Sequence, residues 1–279
     1  MDDLTTRKKS SCGIDVPLEV LAPQVQTVPF VFSSPHSGRD YPASFLASSR
    51  LDPLSLRRSE DSFVDEIFAL APSRGAPLLK ACFPRAFVDP NREAWELDPA
   101  MFKDALPGDV NTSSVRVNAG LGTLARVVTN GEEIYRGKLH FADAVQRIEE
   151  TYKPYHDTLN SLIENTIDKF GVCFLIDCHS MPSVGGPMDE DRGLRRVDVV
   201  LGDCHGRSCA AALTEQTDRL MTELGFTVRR NDPYSGGFTT RHYGRPRAHI
   251  HALQIEINRA RYHVACLHHV QRPDAKTRF

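Results

Sequence analysis

The chain has 279 residues, of which 41% are hydrophobic and 25% charged, with a formal net charge of -2. That length and balance suit one large globular core. They give no basic footprint for nucleic acid or an anionic membrane, and no apolar run is long enough to span a bilayer. The seven cysteines form no Cys-x-x-Cys pair. This argues against a zinc ribbon or a thioredoxin-type motif and for a reduced, cytoplasmic setting. Polar Met1 to Lys9 has no apolar signal-peptide core behind it.

In chain order, residues 1 to 27 read as a loose N-terminal segment, residues 28 to 262 as one domain, and residues 263 to 279 as a basic tail with His263, His268 and His269. Pro29 to Ser33 is a buried-strand pattern that runs into Pro35-His-Ser-Gly38, placing His36 at a strand end. Ser59 reads as an N-cap before an apolar stripe of Phe63, Val64, Ile67, Phe68 and Leu70. Glu60 and Asp61 would then sit in a first helical turn. There they can serve the helix dipole or point back at a strand-end site. Pro77 to Asp89 predicts one or two strands ending in Pro90-Asn91-Arg92. Arg85 and Arg92 offer planar forks for a carboxylate, or surface pairs for Glu93 or Glu96.

Residues 93 to 137 predict a long irregular loop. Leu139 to Phe170 carries the longest helical periodicity, which Pro154 should kink or divide. Val172 to Ile176 is a short apolar run that suits a central parallel strand, closing on Asp177, Cys178, His179 and Ser180. Polar groups at that end stand where open α/β sheets place ligands. Met181 to Arg196 reads as a loop, Val197 to Leu201 as a strand, and Gly206 to Leu224 as a helix stopped by Gly225. A strand over Phe226 to Arg229 leads into the glycine-rich loop Asn231 to Phe238, with Arg241 just beyond. In the strand pattern Ala252 to Asn258, Glu256 is either a buried acid that needs a partner or one of an outward-facing set with Gln254 and Asn258. Strands alternating with helices predict an α/β three-layer sandwich around a mostly parallel mixed sheet.

Two imidazoles (His36 and His179), one carboxylate (Asp61 or Glu60) and an open position make a catalytic zinc-type donor set. Pro35-His-Ser-Gly38, Ser59-Glu-Asp61, Arg85 to Arg92, Glu133-Ile-Tyr-Arg136, Ile176 to Ser180, Asn231 to Gly237 and Leu253 to Arg259 occur in one order. In these stretches the chain resembles the N-formylglutamate amidohydrolase family. The resemblance implies a zinc carboxypeptidase-like fold and a cytoplasmic enzyme of histidine degradation. Its reaction would be hydrolysis of N-formyl-L-glutamate, or a close small anionic N-acyl amino acid, by a metal-activated water. Carried onto this chain, it implies His36, Asp61 (in preference to Glu60) and His179 as ligands of one Zn2+. Glu256 is then the general base, Arg85 polarises the scissile carbonyl, and Asn91 with Arg92 clamps a carboxylate. Arg241 is the expected second anchor for the dicarboxylate.

Overall fold

The computed structural model describes residues 10–187 and 189–262. The expectations for the basic tail, its three histidines included, lie outside the described residues.

Seven strands form one mixed sheet: β1 (Leu18–Leu21), β2 (Phe30–Ser34), β3 (Leu78–Ala81), β4 (Cys173–Met181), β5 (Val199–Gly202), β6 (Val228–Arg230) and β7 (Ile250–Asn258). Their order is β1-β3-β2-β4-β7-β5-β6. The pairs β2–β3, β2–β4, β4–β7 and β5–β6 are parallel, whereas β1–β3 and β5–β7 are antiparallel. The mainly parallel, mixed character expected from the sequence is therefore present.

Side-chain alternation along β4 and β7 divides the core. Cys173, Leu175 and Ala252 pack with Tyr155, Leu159 and Ile163 of the helix Lys153–Phe170. Ile176, Cys178, Leu253 and Ile255 pack on the other face with Val64 and Leu213, from the helices Val64–Ile67 and Ala211–Glu223. Helices cover both faces, which makes three layers. Apolar surface on both sides also explains why the central strands read as continuous apolar runs.

Three local expectations change, and one open alternative is decided. The segment before residue 28 is not loose throughout: Ile14 is buried, and β1 pairs with β3, with Val20 opposite Leu79. β4 does not end at Ile176 but continues through His179 to Met181. Its partner β7 is equally long, so the ladder keeps the polar residues extended. The helix expected from Ser59 begins only at Val64. Asp61 donates its backbone N–H to the His36 carbonyl (3.0 Å), and Phe63 adopts a left-handed φ of 69°. A tertiary contact thus wins over helix propensity and draws Asp61 to His36. Finally, Gln254, Glu256 and Asn258 do not face water; all three are buried. They share the face of Ala252, which the helix Phe238–Tyr243 and the main helical layer cover.

The α-helical run is divided just before Pro154, as expected. A π-helical stretch, Ile148–Tyr152, lies directly before the helix that Pro154 opens. Its wider turn accommodates the missing proline N–H.

Candidate metal centre

The parallel ladder builds the site. Residues two apart on a strand share a face, so Asp177 and His179 of β4 lie beside Gln254 and Glu256 of β7, paired 177–254 and 179–256. His36 lies two residues past the end of β2, and Asp61 is tethered to it through the backbone. His36, Asp61 and His179 are each about 2% exposed, and one ligand atom from each lies within 4.8 Å of the others.

The atom pattern is specific. Asp61 Oδ2 is 3.3 Å from His36 Nδ1 and 3.0 Å from His179 Nδ1. Ligands held at about 2.0–2.1 Å around a tetrahedral ion stand roughly 3.3 Å apart, so the two Asp61–His edges match a small divalent cation, and the His36–His179 edge lies within 4.8 Å. The far nitrogens are also engaged: His36 Nε2 meets Asp89 Oδ1 at 2.7 Å, and His179 Nε2 meets Asp177 Oδ2 at 3.0 Å. With a cation bound at Nδ1, the carboxylate behind each imidazole would accept from Nε2–H and hold the ring in place; without one, each Nδ1 can donate to Asp61 Oδ2.

The charge balance points the same way. Four buried carboxylates converge here (Asp61, Asp89, Asp177 and Glu256) against the guanidinium groups of Arg85, Arg92 and Arg259. With neutral imidazoles the cluster lacks one positive charge, and Asp177 Oδ1 is buried with no hydrogen-bond partner. Burial opposes ionisation of Asp61, but hydrogen bonds from His179 and His36 hold it well below the usual carboxylate range. Burial opposes a charge on His179 too, yet Asp177 and Asp61 hold its pKa well above the ordinary imidazole value. Surroundings that attract a proton this strongly also attract a metal cation.

Glu256 stands opposite His179 and accepts a hydrogen bond from Gln254 Nε2 at 2.8 Å. Burial pushes it up to about 7, against the pull of His179, Arg85 and Arg259. A carboxylate poised there can take and return a proton near neutral pH. Glu60, the alternative ligand, is spent elsewhere, since it accepts from Tyr41 Oη, Arg57 Nε and Ser62 Oγ at 2.6, 3.0 and 3.0 Å.

The arginines expected to meet substrate converge on Asp89. Arg85 Nη2 is 2.8 Å and Arg92 Nη2 3.7 Å from Asp89 Oδ2. Neither pairs with Glu93 or Glu96. Arg92 also donates to the carbonyls of Leu121 and Asn91, and burial lowers its pKa to about 10. Asn91 spends its amide inside the protein. Its Oδ1 accepts from Thr239 N (2.8 Å), and its Nδ2 lies 3.4 Å from Asp177 Oδ2 and 3.1 Å from His179 Nε2. Arg241 is exposed on the helix Phe238–Tyr243 and donates to the Gly236 carbonyl.

Asp89, Asp177, Gln254 and Arg259 were given no role by the sequence. For Asp177 and Gln254 a signal existed: each lies two residues before a candidate on its strand, hence on its face. Nothing local marks Arg259.

The sequence profile described as N-formylglutamate amidohydrolase matches residues 28–263. A protein of Pseudomonas aeruginosa named N-formylglutamate deformylase is 28% identical, over 88% of this chain and 85% of its own. A Pseudomonas putida protein of the same name is 25% identical, over 84% and 82%. The crystal structure of N-formylglutamate amidohydrolase from Ralstonia eutropha superposes with a TM-score of 0.80 at 35% identity, covering 88% of this chain and 86% of that one. A gene product of Agrobacterium tumefaciens shares the fold alone, with a TM-score of 0.60 at 20% identity over 91% and 92%.

Proposed function

The chain belongs to the N-formylglutamate amidohydrolase family, and from that premise we propose that it hydrolyses N-formyl-L-glutamate, or a close N-acyl amino acid, to formate and the free amino acid, with one zinc ion held by His36, Asp61 and His179. The observation that carries this reading is the register pairing of Glu256 with His179 beside the buried His–Asp–His cluster. Zinc in such a site lowers the pKa of a water molecule and polarises a carbonyl oxygen.

The chain's own groups supply the remaining steps. Glu256 accepts a proton as water oxygen bonds to the formyl carbon. It then delivers that proton to the amide nitrogen as the C–N bond breaks, which releases formate and the amine. Arg85, held by Asp89, donates to the carbonyl oxygen as negative charge develops. Arg92 with Asn91, and the exposed Arg241, are the anchors for the substrate's carboxylates, and Asn91 is itself held by Asp177 and Thr239. A zinc carboxypeptidase-like ancestry and a cytoplasmic place in histidine degradation are parts of the same reading.

The test is formate release from N-formyl-L-glutamate by zinc-loaded protein, with a chelated sample alongside. Release from the zinc-loaded sample alone is expected. Zinc-containing protein that releases no formate would move the substrate to another N-acyl amino acid. Failure to bind zinc would overturn the metal assignment.

A further inference from the structure

We propose that Arg259 is a positioning residue of the metal centre: it restrains the outer oxygen of Asp61, making that carboxylate a one-oxygen ligand and keeping a coordination position open. This inference rests on reading the cluster as a metal site. Its basis is the division of labour between the two oxygens of Asp61. Oδ2 faces both imidazoles, while Oδ1 accepts from Arg259 Nη2 at 3.0 Å and from Ser180 Oγ at 3.4 Å.

The guanidinium is itself fixed. Arg259 Nη2 also donates to the Glu60 carbonyl at 2.7 Å, and Nε donates to Ser180 Oγ at 3.2 Å. Its backbone opens the turn Arg259–Arg261, which Asn258 caps by accepting from Ala260 N at 3.0 Å. The Asn258 amide meanwhile holds the carbonyls of Arg196 and Val197. One planar fork thus joins the backbone before Asp61, its side chain and the end of β4. A lysine offers a point charge without that fork.

The restraint has a chemical consequence. A carboxylate free to rotate can chelate an ion through both oxygens and fill the position that a hydrolytic site reserves for water. Arg259 also places positive charge near Glu256, in the sense that favours its ionised form.

The test uses the full chain loaded with zinc or with cobalt. Arg259→Met is expected to lose about 10–100-fold in zinc affinity by chelator competition, the usual effect of removing a ligand's outer partner. The cobalt visible bands should weaken as the coordination number rises. Arg259→Gln, which keeps a polar group but loses the fork, should shift both readouts the same way and serves if the Met variant does not fold. Arg261→Met is the control. It removes the Arg261–Asp198 pair from the same turn without touching Asp61, so affinity and spectrum should not move. Wild-type affinity and spectrum in folded Arg259→Met or Arg259→Gln would overturn the inference alone. A wild-type chain that binds no metal would overturn the underlying reading as well.

Discussion

Glu256 of β7 and His179 of β4 are register partners in a parallel ladder of nine residue pairs. Backbone hydrogen bonds therefore set the position of the proposed base relative to a proposed ligand. A group carried on paired strands holds its geometry more tightly than one carried on a loop.

Glu256→Gln keeps the shape and the register but removes the proton acceptor. Turnover of the zinc-loaded enzyme should fall by roughly 10²–10⁴-fold, the usual span for general acid–base catalysis. Zinc content by elemental analysis should not change. Normal turnover would remove Glu256 from the mechanism.

Asp177 and Asp89 stand behind the two imidazoles at 3.0 and 2.7 Å. Asp177→Asn should weaken zinc binding by roughly 10–100-fold, while His179→Ala should abolish it. Asp89→Asn should weaken zinc and also lower turnover, because Asp89 holds Arg85. Chelator competition and steady-state rates separate the two effects. An Asp89→Asn variant changed in affinity alone would disconnect Arg85 from the chemistry.

Gly237 lies against the Asn91 amide, and a Cβ there would overlap it. Asn91 is held at both ends, so it cannot move aside cheaply. Gly237→Ala should cost about 1–3 kcal/mol in urea unfolding and reduce zinc affinity through Asp177. A variant as stable as the wild type would show that the loop yields instead.

His156 is a pH-dependent element outside the His–Asp–His cluster. Its Nε2 donates to the Pro90 carbonyl at 2.9 Å, and its Nδ1 lies 2.8 Å from Tyr243 Oη. Burial lowers its pKa from 6.5 to about 4. The unfolded chain takes up this proton near 6.5 and the folded chain resists it, so the stabilisation is complete above that pH and is lost as pH falls towards about 4. The effect is on the order of 2–3 kcal/mol. Between pH 7 and 5 the urea midpoint of the wild type should therefore fall further than that of His156→Gln. Parallel pH profiles would rule this out.

The sequence by itself determined the alternation of strands and helices, the identities of His36, His179 and Glu256 as candidates, and the family. Those signals are periodic or sit in short stretches, and periodicity records which side chains leave water. It did not determine which acid joins the histidines, which way Glu256 points, or what holds Asp61. Asp61 and His179 are 118 residues apart, and Arg259 and Asp61 are 198 apart. Glu60 and Asp61 are adjacent and chemically alike; the backbone bond to His36, the left-handed Phe63 and the tertiary partners of each side chain turn Asp61, not Glu60, inward. Polar partners in a buried site are chosen by distances of a few ångströms between segments remote in sequence. Those distances exist only once the sheet register and the helical layers are in place.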